Sequence, residues 1–71
     1  MEPIRTGVYR HFKGNLYRVL FTAQHSETRE ELVVYQALYG EQGYWVRPAA
    51  IWLETINRDG YTGPRFTRVE L

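Results

Sequence analysis

The chain has 71 residues, no cysteine, nine basic and eight acidic side chains and a net charge of +1. That length holds one domain, 1–71, and not two, and the lack of cysteine excludes disulfides and thiolate zinc sites. The balanced charge argues against the broad basic excess of a non-specific nucleic-acid binder. His11 and His25 are too few to hold a structural zinc by themselves, so no metal or cofactor is expected. A chain this short must then rely on its core or on self-association.

The first residues, Met-Glu-Pro-Ile-Arg, lack signal-peptide architecture, and no apolar run approaches the roughly 20 residues that span a bilayer. The expectation is a cytoplasmic protein away from membranes. Gly14-Asn15 separates the runs Gly7–Phe12 and Leu16–Gln24, and a Gly/Asn pair between apolar runs reads as a hairpin. Within Leu16–Gln24 a period of two puts Tyr17, Val19, Phe21 and Ala23 on a core face. His25–Glu30 reads as a loop. Thr28-Arg29-Glu30-Glu31 has capping-box spacing, but the run after it is β-branched and short.

Glu31–Tyr39 is apolar on both faces, broken only by Gln36. Such a strand is normally central and covered on both sides. The N-terminal arm, the Trp52 segment and a second copy of the chain are the candidates to cover its second face. Gly40 to Gly43 marks a turn before Tyr44–Arg47, and Pro48 ends that strand because it lacks a ladder donor. Ala49-Ala50-Ile51-Trp52 fits one helical turn before strand resumes near Glu54–Asn57. Asp59-Gly60 and Gly63-Pro64 mark turns before Arg65–Val69. Short strands at this spacing predict a mostly β fold: a small barrel of about five antiparallel strands with one short helical turn. Eleven aromatics from Tyr9 to Phe66 supply its core.

Three clusters carry side chains capable of chemistry. Tyr9-Arg10-His11-Phe12-Lys13-Gly14 interleaves cations with rings, a combination that stacks bases and binds phosphates. It equally fits an edge strand with Tyr9 and His11 on one face and Arg10 and Phe12 on the other. His25-Ser26-Glu27-Thr28 sets a histidine beside a hydroxyl and a carboxylate, yet such residues in a loop more often cap the local backbone. Trp45-Val46-Arg47-Pro48 puts Trp45 and Arg47 on one face, where indole and guanidinium could clamp an anion. The alternative there is a core Trp45 with Arg47 paired to Glu31 or Glu54. Eight of the nine cations are arginines, suited to bidentate capture of phosphate or carboxylate. The ligand-binding candidates are therefore Tyr9, Arg10, His11, His25, Glu27, Trp45 and Arg47. No nucleotide-binding glycine loop, HExxH motif or cysteine nucleophile is present, and no catalytic residue is assigned.

Those clusters, with Glu31–Gly40, Trp52-Leu53-Glu54 and Pro64-Arg65-Phe66, resemble the bacterial family called domain of unknown function 1653. The resemblance runs over nearly the whole chain in order; Trp52 stands where the family often has Phe. It implies a small Sm-like or SH3-like barrel and carries no assigned activity. The expectation is a non-enzymatic binding module for RNA, another anionic ligand or a protein. The alternatives are a self-assembling structural domain, with the doubly apolar strand or an adjacent edge as interface, and a small enzyme built on His11, His25 and Glu27. That enzyme would require both histidines in one pocket.

Overall fold

The computed structural model describes residues 4–69. Seven strands and one helical turn follow the turn signals. They are β1 (Gly7–His11), β2 (Leu16–Gln24), β3 (Glu31–Ala37), β4 (Tyr44–Pro48), α1 (Ala49–Trp52), β5 (Thr55–Arg58), β6 (Tyr61–Pro64) and β7 (Phe66–Arg68). β1 and β2 are joined at Phe12–Asn15, where the His11 N–H donates to the Asn15 carbonyl at 2.8 Å and the Gly14 N–H to the His11 carbonyl at 2.7 Å. Gly14 sits at φ +107°, a conformation that side chains with a Cβ rarely adopt. β5 and β6 meet at Asp59 (φ +55°) and Gly60 (φ +78°), two left-handed residues as a type I′ hairpin requires.

The antiparallel order is β4-β3-β2-β1-β7, with β5-β6 as a separate two-stranded sheet. The fold is mostly β, as expected, with more strands than the five anticipated. Among the described residues β4 and β7 are open edges, so no continuous ladder closes a barrel. Gly63-Pro64 lies within β6 instead of forming the turn. The chain bends at Arg65, whose N–H donates to the Glu54 carbonyl and whose own carbonyl accepts from the Phe12 N–H, both at 2.9 Å. These two bonds tie the small sheet to the β1–β2 hairpin.

The core gathers on one face of the five-stranded sheet: Tyr9, Val19, Val33, Tyr35 and Phe66, with Ala49 and Trp52 of α1 laid over them. α1 is the device that brings Trp52 there, since one turn after Pro48 swings the chain back across β3 and β4. Trp52 touches Tyr9 edge-on at 5.4 Å between centroids and Tyr35 at 5.1 Å. Buried aromatics of this size remove roughly 150–250 Å² each from water, which is how so short a chain holds together without disulfides.

The period-two reading of β2 fails half-way along. Val19 faces Tyr35, but Phe21 faces Val34, so Leu20 is an extra residue in a β-bulge. The bulge exchanges the faces beyond it: Phe21 and Ala23 lie on the outer face with Val34 and Leu32, and Phe21 is 55% exposed. Among the described residues, the cover expected over the second face of β3 is not supplied; residues 1–3 of the N-terminal arm lie outside them. Ile4 and Trp52 both pack on the inner core, and Leu32 and Val34 are only half-buried.

Candidate functional site

His11 is the last residue of β1 and stands opposite Phe66 of β7. Its ring lies 4.6 Å from Phe12, 5.0 Å from Phe66 and 6.4 Å from Tyr17, centroid to centroid. Phe12 leaves the strand alternation at the turn and so packs beside His11, not on the opposite face. It stacks on Tyr61 at 5.5 Å with the planes 16° apart. The hairpin turn at Asp59-Gly60 explains Tyr61, because it pairs Tyr61 with Arg58 and aims both at the Phe12 ring.

Cations line this group of rings. Lys13 Nζ lies 5.9 Å and the Arg58 guanidinium 5.8 Å from the Phe12 centroid, and the Arg47 guanidinium lies 5.5 Å from that of Phe66. All three fall just inside the cation–π range of about 6 Å. None of the three makes an ion pair among the described residues; the Glu54 carboxylate is taken by Arg65 at 2.8 Å. Burial pushes the His11 pKa below its ordinary 6.5, and Arg47, Arg65, Lys13 and Arg58 push it further the same way. The Lys13 N–H donates to His11 Nδ1 at 3.1 Å, which leaves the proton of the neutral ring on Nε2 as a donor. Half-buried rings, cations that make no ion pair among the described residues and an imidazole donor together suit a planar, anionic ligand.

The sequence candidates divide. Arg47 and His11 share this site, joined through Phe66. Trp45 shares the inner face of β4 with Arg47 but stands further along the edge, 60% exposed and opposite Tyr35. Tyr9 is a core residue whose hydroxyl donates to the Arg5 carbonyl at 2.8 Å, and burial raises its pKa. Arg10 is exposed on the other face of β1. His25 is a loop cap: its Nδ1 accepts the N–H groups of Glu27 at 3.1 Å and Thr28 at 3.3 Å. Thr28 Oγ1 in turn accepts the Glu30 N–H at 3.2 Å, so the capping-box spacing closes a turn and starts no helix. Glu27 is exposed beside it.

His11 and His25 flank opposite ends of nine-residue β2, a separation on the order of 30 Å at ~3.3 Å per residue. They share no pocket. Arg47 pairs with neither Glu31 nor Glu54. Arg58 and Tyr61 were absent from the candidates although the Arg58-Asp59-Gly60-Tyr61 hairpin signal was present; what was missing was the fold-back of that hairpin onto Phe12.

The profile of a family described as "Protein of unknown function (DUF1653)" matches residues 7–68. The chain belongs to that family. A crystal structure of a DUF1653 protein from Bordetella bronchiseptica is 42% identical, with a TM-score of 0.87 over 97% of this chain and 91% of that one. No curated protein matches. All of the residues that build this DUF1653 site, from His11 to Phe66, lie inside the matched span. Among the described residues no helix is long and apolar enough to cross a membrane.

Proposed function

We propose that this DUF1653 domain is a non-enzymatic binding module that takes a short stretch of single-stranded nucleic acid at the His11–Phe12–Arg47–Arg58 cluster. The observation that carries the reading is the placing of Lys13, Arg47 and Arg58 around rings packed on His11, with no carboxylate among the described residues paired to any of them. Bases stack on accessible ring surface, which half-buried Phe12 and Tyr61 retain in part, and cations beside it meet the phosphates. With a net charge of +1, a local cluster is the form such binding can take in this chain.

The test is fluorescence anisotropy with a labelled single-stranded RNA over a salt series. Three phosphate contacts predict a slope of log K against log salt of roughly −2. Lys13→Gln with Arg58→Gln should weaken binding and flatten that slope by more than half. Affinity indifferent to salt and to both substitutions overturns the reading, as does capture of an uncharged peptide in preference to RNA.

A further inference from the structure

Of the two edges of the large sheet that are open among the described residues, the β4 edge is poorly guarded. β4 reads Tyr44-Trp45-Val46-Arg47-Pro48, pairs with β3 on one side only and carries no bulge. Tyr44, Trp45 and Val46 are 69%, 60% and 60% exposed. Edge strands are ordinarily protected by charge, proline or bulges, and here Arg47 and Pro48 protect only the last two positions. The Ala37 N–H donates to the Gly43 carbonyl at 3.0 Å. By antiparallel alternation Trp45 and Arg47 then bond to β3, while Tyr44 and Val46 turn their N–H and C=O groups outward. On the outer face Phe21, Val34 and Val46 form an apolar row across three strands that ends at this edge.

We infer that β4 is a self-complementary edge that pairs antiparallel with β4 of a second copy, about a two-fold axis at Val46. That register lets Val46 exchange both backbone hydrogen bonds with Val46 of the second copy. It sets Trp45 opposite Arg47 of the second copy, twice, so an indole meets a guanidinium on the inner face. Tyr44 meets Pro48 of the second copy. No like charges face each other, whereas an in-register parallel pairing would put Arg47 against Arg47. The apolar row Phe21–Val34–Val46 continues through the axis into its own image. The pairing stands independently of anion binding, although it brings Trp45 of the second copy alongside Arg47 of the cluster.

Sedimentation velocity from about 10 µM to about 1 mM spans the affinities expected of a contact this small. The expected result is a monomer–dimer equilibrium, with the amides of Tyr44 and Val46 gaining hydrogen-exchange protection as concentration rises. Val46→Pro removes a donor that the monomer does not use, so it should abolish the dimer and leave the circular dichroism melt in place. If Val46→Pro unfolds the chain, Trp45→Arg supplies the same test from an exposed side chain, because it sets like charges opposite each other twice in the pairing. A species monomeric throughout the range overturns the inference. So does a dimer that survives both substitutions but is lost in Phe21→Glu, which would assign the contact to the sheet face.

Discussion

The Trp52 and Phe66 rings lie face to face, 3.7 Å between centroids and 4° from parallel. They come from α1 and from the last strand, so this one stack joins the crossover helix to the far edge of the large sheet. Phe66 also carries Arg47 on one side and touches His11, which makes the same ring both core and site. Phe66→Ala should cost about 3–5 kcal/mol, a typical figure for emptying a buried aromatic position. Trp52→Phe should cost less than about 2 kcal/mol. It loses some contact area, but it also removes an indole N–H that is buried with no hydrogen-bond partner among the described residues. Urea denaturation of the two variants checks the order; equal losses would mean that the stack itself matters little.

His11 predicts a pH dependence of stability. Its folded-state pKa lies below the ordinary 6.5, by burial first and then by Arg47, Arg65, Lys13 and Arg58. The unfolded chain therefore binds the proton more readily than the folded one. Its contribution is complete above about pH 6.5 and is lost as pH falls through the interval down to the folded pKa. Protonation also removes the Nδ1 acceptor used by the Lys13 N–H. Thermal melts between pH 8 and pH 5 should fall for the native chain and fall less for His11→Gln, the difference isolating this group from the carboxylates.

Gly63 holds Tyr61 in place. A Cβ there would stand 2.7 Å from the Tyr61 hydroxyl, which donates to the Pro64 carbonyl at 2.8 Å. Gly63→Ala should displace the Tyr61 ring, unstack it from Phe12 and cost about 1–3 kcal/mol, as overpacking does. RNA affinity should fall in the same variant, measured at a temperature where circular dichroism shows it folded.

Glu54 offers the opposite change. Its carboxylate is about half exposed and pairs with Arg65, so Glu54→Gln should shift stability by no more than about 1 kcal/mol. Arg65 is then an additional unpaired cation near His11. RNA affinity at low salt should rise, and the His11 pKa, read by NMR titration, should move further down.

The bulge in β2 shows where reading along the chain stops. Alternation placed Phe21 with Val19, and nothing in Val19-Leu20-Phe21 announces an extra residue. The bulge follows from register against β3, where Val19 meets Tyr35 and Phe21 meets Val34. The helical turn at Ala49–Trp52 and the turn at Asp59-Gly60 were legible because Pro48 and the Asp-Gly pair constrain φ locally, and the loop His25–Glu30 because it is a polar run between two apolar ones. The site was half legible. His11 and Arg47 stood out by residue type, while Arg58 and Tyr61 join them only because the β5–β6 hairpin folds onto Phe12.

The sequence by itself determined a cysteine-free, mostly β fold with an aromatic core, because turn residues and side-chain period act over a few neighbours. Only the tertiary structure decided which apolar residues are core and which are surface. Tyr9 went inside, Phe21 and Trp45 stayed outside, and His25 came to lie at the opposite end of β2 from His11. Those outcomes depend on strand register and on which elements close over each sheet face, and both are set by contacts between segments distant in the chain.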